Sequence, residues 1–211
     1  MNTENNQSTK TKGLGCLGAL LIGTPILVIL LLLTIWGIRI YNKTVERDET
    51  VKKQWSQVET AYQYRYDLIG NLVNVVKGYA DFEKSTLTAV IEARSKASSI
   101  EIKAEDVNEA TLQELDAANK DLNSSLDRLM VVVEQYPNLK ADQQFMSLSA
   151  ELKNTEIQIK LARDAYINVV KDFNAYIRKF PRNLFAKLFG FNQYKYYESD
   201  EGAEDKIDVN L

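Results

Sequence analysis

Apolar and polar positions follow two regimes along this chain. From Gly13 to Ile38 no side chain is charged, and the run is dominated by Leu, Ile and Val. From Val51 onward apolar residues return at three- and four-residue steps, with charged residues filling the gaps. The first regime predicts a helix apolar all round, and the second predicts amphipathic helices that bury one face.

As a helix rising ~1.5 Å per residue, the first run is about 39 Å long. That crosses a hydrocarbon core of ~30 Å with some tilt. A signal peptide has an apolar core of only ~7–15 residues before a small-residue cleavage site. This run is longer and leads into Trp36, Arg39 and Tyr41 without an A-x-A-like site. Cys16 precedes the hydrophobic run, the reverse of a lipoprotein signal. The reading is a retained membrane span over residues 13–40. Trp36 and Tyr41 sit at the interface, Arg39 and Lys43 snorkel, and Pro25 kinks the span. Residues 1–12 are polar and expected to be disordered.

After the span, Val51, Trp55, Val58, Tyr62, Ile69, Leu72, Val76, Tyr79, Leu87 and Val90 mark an amphipathic helical stretch. Gly70, between Asp67 and Asn71, is either a tight turn between two helices or a tolerated glycine in one long helix. Ser98 and Ser99 open a polar connection to about Asp106. A helix from about Asp106 to Tyr136 follows, with Leu115, Ala118, Leu122, Leu126, Leu129, Val133 and Tyr136 as its seam, stopped by Pro137. The last long helix has Phe145, Leu148, Leu152, Thr155, Ile159, Ala162, Tyr166, Val169, Phe173, Tyr176 and Phe180 in strict three-four alternation. That is a coiled-coil-like seam, widened by Leu161, Val170 and Ile177. Pro181 ends it. NLFAKLFGF is expected to fold back as a short helix capping the bundle end, and residues 198–211 form an acidic, mobile tail. No β pattern appears.

Composition narrows the function classes. Net charge is −3, with 26 basic and 29 acidic residues, so no global basic field points to nucleic acid. Histidine is absent and Cys16 is the one cysteine. Ser-His-Asp and Cys-His triads, Cys/His zinc sites and Glu-x-x-His di-iron centres therefore cannot be built. No catalytic, cofactor-binding or metal-binding residue is expected, and no cofactor. Carboxylates alone could hold a hard ion, but a solvated acidic face is the simpler reading.

A few polar residues fall where the spacing asks for apolar ones. Arg65 and Glu83 interrupt the first stripe. Arg163 flanks the last seam, with Glu156 seven residues before it. They form either an interior polar network or a recognition patch, or else simply pack their stems and send their heads to water, which is the reading preferred here. A buried Arg65 would need a carboxylate partner. Tyr62, Tyr64, Tyr66, Tyr79, Tyr166 and Tyr176 are expected in the core with hydroxyls at the rim. Tyr194, Tyr196 and Tyr197 lie beyond the bundle, against either the membrane interface or a partner.

The stretches DETVKKQWSQVETAYQYRYDLIGNLVNVVKGYADFE, VIEARSKA and EQYPNLKADQQFMSLSAELKNTEIQIKLARDAYINVVKDFNAYIRKFPRNLFAKLFGF resemble the LemA family of bacterial proteins. The likeness covers nearly all of residues 46–197. It departs at Gly70, where the family pattern has proline, and so supports a helix break near that position. It implies a single-span membrane protein with an antiparallel four-helix bundle and no established catalytic activity.

The combined expectation is all-α: a membrane helix over 13–40, then an up-and-down four-helix bundle over 41–197, or alternatively three long helices. The expected role is that of a membrane-anchored interaction or scaffold module at the bacterial cytoplasmic membrane, not an enzyme. Its partners would be the lipid bilayer through 13–40 and an unidentified membrane or cytoplasmic protein, with a homo-oligomer left open. Arg65, Glu83, Glu156, Arg163, Tyr194 and Tyr196 are the candidate interaction or polar-network residues. A carboxylate-metal enzyme, or an accessory to a membrane protease as family association suggests, are the rivals. Five cations after the span (Arg39, Lys43, Arg47, Lys52, Lys53) against Lys10 and Lys12 before it favour a cytoplasmic bundle, while two lysines before an N-terminal apolar run also resemble a signal anchor with its N-terminus inside.

Overall fold

The computed structural model describes residues 12–79 and 82–197, with side chains described from Thr24 onward. The acidic tail expected over 198–211, and the polar tail expected over 1–12 except Lys12, lie outside the described residues. Among the described residues there are six α-helices and one short 3-10 turn, and no strand. The helices are α1 (Lys12–Lys77), α2 (Lys84–Ser98), α3 (Glu109–Val133), α4 (Pro137–Lys140), α5 (Gln143–Arg178) and α6 (Arg182–Phe189). The chain divides into two compact units, Met1–Val45 and Glu46–Leu211.

The N-terminal unit is the apolar part of α1. Ile26, Leu27, Val28, Ile29, Leu30, Leu31, Leu32 and Leu33 are each between 53 % and 66 % exposed. A helix so apolar, with no protein covering it, is long and apolar enough to cross a membrane. Pro25 lies within it.

In the second unit α1 supplies Val51, Trp55, Val58, Tyr62, Tyr66, Ile69, Leu72, Val73 and Val76 to the core. The helix runs through Gly70 without interruption, so the expected break there does not occur. A mid-helix glycine costs only about 1 kcal/mol relative to alanine. The buried neighbours Ile69, Leu72 and Val73 hold it helical. The real end is Lys77, followed by a turn at Gly78. Phe82 then packs on Tyr136, with ring centroids 5.0 Å apart.

The connection from Ser99 to Asn108 is less polar inside than its composition suggested. Ile102, Ala104 and Val107 are buried, and Trp55 Nε1 donates to the Ile102 carbonyl at 2.6 Å. Helix α3 starts at Glu109, not Asp106, because Asn108 and Thr111 form a reciprocal cap. The Asn108 side chain accepts from Thr111 N at 3.1 Å, and the Thr111 hydroxyl accepts from Asn108 N at 2.9 Å. It ends at Val133, before Pro137, which instead occupies the first turn of α4. Leu139 of α4 is fully buried, so this short helix plugs the connection between α3 and α5. Asp142 caps α5 by accepting from Phe145 N at 2.9 Å. That backbone hydrogen bond holds its carboxyl below the usual range.

Helix α5 buries Phe145, Leu152, Thr155, Ile159, Tyr166, Phe173 and Tyr176 of the expected seam, with Val170 and Ile177 beside them. Two expected members face solvent: Leu161 is exposed, and Phe180, beyond the helix end, is 80 % exposed. Of α6 only Ala186 is buried, so this segment forms the expected short helix but leaves most of its apolar side chains uncovered.

Candidate functional site

A polar network links α1, α3, α5 and the segment after α6. It begins at Arg65 on α1, which is only 6 % exposed. Its Nη2 donates to Asn123 Oδ1 at 2.7 Å and to Glu156 Oε1 at 3.2 Å. Arg65 comes from α1, Asn123 from α3 and Glu156 from α5, so one guanidinium ties three helices. The reading in which Arg65 sends its head to water is therefore corrected. Its neighbours in sequence Tyr62, Tyr66, Leu68 and Ile69 are buried as well, and its charge is met by a carboxylate. Its Nε is buried without a partner.

One turn down α3, Tyr66 donates to Asn119 Oδ1 at 3.1 Å, while Asn119 Nδ2 donates to the Leu115 carbonyl at 2.8 Å. Burial raises the Tyr66 hydroxyl to about 12, against the effect of its hydrogen bond to Asn119. Next along the network, Arg163 of α5 donates to Tyr62 and to Asp116 of α3. Tyr197 donates to the same Asp116 Oδ1 at 2.9 Å. The Arg163 guanidinium lies 4.1 Å from the Tyr197 ring centroid and 5.4 Å from that of Tyr62. Burial pushes the Tyr197 hydroxyl well above its ordinary value, with neighbouring Tyr62 adding to the effect. Tyr62 is raised as well, again mainly by burial. Burial opposes the Arg163 charge, but Tyr62, Tyr197 and Asp116 together raise its pKa.

The far end of the network fixes the last described segment. Asn174 Nδ2 donates to the Tyr194 carbonyl at 2.8 Å, and Tyr194 N donates back to Asn174 Oδ1 at 3.0 Å. The Tyr194 hydroxyl donates to Asp48 Oδ1 at 2.9 Å. Asp48 Oδ2 in turn lies 3.2 Å from Lys52 Nζ, which also meets Glu105 at 3.2 Å. The hydrogen bond to Asp48, with that to Glu105, pushes Lys52 up to about 12. Tyr194 is raised by burial and by its bond to Asp48. Tyr194 and Tyr197 thus pack onto the helices, whereas Tyr196 is 44 % exposed. The segment is not a free aromatic tail, because paired polar groups on α1, α3 and α5 hold it.

Of the residues singled out from sequence, the structure joins Arg65 to Glu156 and places Arg163 and Tyr194 in the same network. Glu83 is exposed, accepts a hydrogen bond from Ser85, and takes no part. The sequence reading missed Asp116, Asn119, Asn123 and Asn174. The first three recur at three- and four-residue steps beside the α3 seam, a polar stripe that periodicity alone could have flagged.

Chemically the network holds protons in place. Its tyrosines stay protonated near neutrality, and its arginines are matched by Glu156 and Asp116. Among the described residues no group of three or more acidic or cysteine side chains could hold a metal ion. Two open grooves mark the surface. One of about 380 Å³ runs between α1 and α2 past Asp67, Asn74, Lys77 and Arg94. The other, about 470 Å³, runs between α2 and α3 past Thr86, Asp127, Arg128 and Val131. Each has one carboxylate on its wall.

Both grooves and most of the network lie within the part of the chain that a known family describes, with Asp48 and Lys52 just before it. The model of the LemA family matches residues 54–211. The chain belongs to the LemA family. Full-length relatives support the assignment at low identity. This LemA-family chain is 24 % identical over 218 residues to magnetosome protein MamQ 2 of Paramagnetospirillum magneticum, covering 95 % of this chain and 79 % of that protein. It is 25 % identical over 169 residues to protein LemA of Metamycoplasma hominis, covering 80 % and 73 %. It is 25 % identical over 184 residues to magnetosome protein MamQ of Magnetospirillum gryphiswaldense, covering 79 % and 68 %.

Proposed function

We propose that this LemA-family chain is a membrane-anchored scaffold that binds a protein partner at the bacterial cytoplasmic membrane and carries no catalytic site of its own. One observation carries the reading. Arg65 and Arg163 inside the second unit are paired with Glu156 and Asp116, and each of the two grooves described has a single carboxylate. A carboxylate-only enzyme would need several of these groups converging on one cavity.

The helices support an up-and-down four-helix bundle built from α1, α2, α3 and α5. Tyr62 and Arg65 on α1, and Tyr79 just past its end, meet Arg163 and Glu156 on α5 and its capping residue Asp142, so residue numbers fall along one helix as they rise along the other. Lys96 with Asp121, and Phe82 just before α2 with Tyr136 just after α3, give the same reversed order for α2 and α3. Such a frame presents its outer faces to partners. Ile157 and Leu161, one turn apart on α5, are both about 60 % exposed there (60 % and 62 %). The chain is similar both to relatives named for the magnetosome and to one named LemA, which fits one scaffold whose partner is set by its surface.

The five-to-two excess of cations after the apolar run favours the cytoplasmic side for the scaffold. Alkaline phosphatase fused to the C-terminus is active only when exported and should be inactive here; strong activity would reverse the topology. Photocrosslinking from position 157 or 161 in native membranes should yield a discrete protein adduct. Adducts to lipid alone, or a hydrolytic activity abolished by Asp116→Asn, would overturn the scaffold reading.

A further inference from the structure

Helix α6 is amphipathic the wrong way round for a capping helix. Ala186 is its buried residue, while Leu184 and Leu188, one turn apart on the opposite face, are 57 % and 75 % exposed. Phe180, two residues before the helix, is 80 % exposed, and Phe189, stacked on Phe185 with centroids 6.4 Å apart, is 50 % exposed. Large apolar side chains clustered at one exposed end of a domain mark a binding surface.

The charge around the patch says what it binds. Between Phe173 and Tyr197 the sequence contains no Asp or Glu, yet it holds Arg178, Lys179, Arg182, Lys187 and Lys195. This basic stretch stands in a chain whose net charge is −3. The position also matters. The Arg182 guanidinium lies 4.2 Å from the Tyr176 ring centroid, and Arg47 lies 4.6 Å from the same ring. Helix α6 therefore sits at the end of its unit where the chain enters from the apolar segment. Arg47 is nine residues beyond Ile38, so the chain lets it lie no more than ~32 Å from the apolar run.

We propose that α6 is a second membrane contact, lying in the interface of an anionic bilayer with Phe180, Leu184 and Leu188 among the acyl chains and the surrounding cations on the headgroups. The inference rests on the anchored reading only for its tether. An in-plane helix with aromatic and leucine side chains on one face and Lys/Arg beside them has the required chemistry. Acidic lipid, and not a second copy of the chain, is favoured by the uninterrupted positive charge, which would repel its own twin.

The test uses the full chain with Cys16→Ser and Leu184→Cys, carrying an environment-sensitive NBD dye, reconstituted in vesicles. A parallel chain carries the dye at Leu30→Cys to report on the anchor. In vesicles containing phosphatidylglycerol the dye at 184 should shift to the blue and be quenched by lipids spin-labelled near the headgroup. In pure phosphatidylcholine, or with Lys179→Glu and Lys187→Glu, the shift should shrink. Circular dichroism should be unchanged, since 179, 184 and 187 are exposed. A water-like emission at 184 in every vesicle overturns the proposal, even with the dye at 30 buried in lipid. A blue shift at 184 that lipid quenchers do not touch, with self-quenching between chains, overturns it in favour of a dimer face. A water-like emission at 30 overturns the anchor instead, leaving the result at 184 to decide the surface contact by itself.

Discussion

The guanidinium of Arg94 on α2 lies directly against Gly70 on α1. A Cβ placed on residue 70 would come within 3.2 Å of Arg94 Nη2 and 3.3 Å of its Cζ. Arg94 is held there by its Nε, which donates to the Tyr66 carbonyl at 2.6 Å, and by Asp67 at 3.8 Å. The glycine that looked like a helix break is a seat for an arginine.

Gly70→Ala therefore sets two effects against each other. Helix propensity favours alanine by about 1 kcal/mol. Displacing Arg94 forfeits a hydrogen bond to a charged donor, about 1.5–3 kcal/mol. The substitution should destabilise the wild-type chain slightly but stabilise an Arg94→Ala chain by about 1 kcal/mol. Urea melts of the four chains in mild detergent give the cycle. Equal effects in both backgrounds would mean that the arginine does not use the glycine.

Arg65 offers a sharper contrast. Replacing it by methionine removes the buried charge with its need for partners, and should change stability by less than about 1 kcal/mol. Leaving the charge and removing its partners, with Asn123→Ala and Glu156→Ala together, should cost more, about 2 kcal/mol. That is below the usual penalty for a broken buried pair because the Glu156 side chain is 61 % exposed and already screened. If the methionine chain is the less stable of the two, Arg65 is not the buried liability described here.

The α5 seam fixes a third expectation. Phe173 is 1 % exposed and meets Tyr194 edge-on, with centroids 5.3 Å apart. Phe173→Ala should cost ~3–5 kcal/mol. Phe180→Ala, at 80 % exposure, should change folding stability by no more than about 0.5 kcal/mol. A loss below about 1 kcal/mol at 173 would place that face outside the core.

Alkaline pH should unfold the second unit. Tyr62, Tyr66, Tyr194 and Tyr197 all have folded-state values raised above the ordinary tyrosine value of 10.0. A raised value means that the folded state holds its proton more tightly than the unfolded chain. The contribution is complete below the unfolded value and disappears as pH rises through the folded one. Stability should thus be flat in these groups below about pH 10 and fall across the window up to about 12 set by Tyr66. Tyrosinate absorbance should rise together with the loss of helical circular dichroism. Full ionisation with the helices intact would show that these hydroxyls reach water.

The sequence by itself determined the helices, because their evidence is periodic and local. The uncharged run before Arg39 needed no neighbours to be read as a membrane-length helix. The three-four seam from Phe145 to Tyr176 named most of the α5 core, because a helix has one face to bury and the spacing states which. It also named Arg65 and Arg163 as anomalies, since charge on an apolar stripe is visible in one dimension. The partners of those anomalies belonged to the tertiary structure alone. Asn123 and Glu156 reach Arg65 across 58 and 91 residues, and no local spacing encodes which side chain will stand opposite. Gly70 is the same lesson in reverse. Its conformational freedom suggested a turn, but the fold uses its missing side chain, and that need appears only once α2 lies against α1. The C-terminal apolar residues divided in the same way: Tyr194 and Tyr197 after α6 found hydrogen-bond partners on distant helices, while Leu184 and Leu188 of α6 stayed exposed. An apolar side chain states that it seeks cover, and only the packing decides whether the protein or the membrane supplies it.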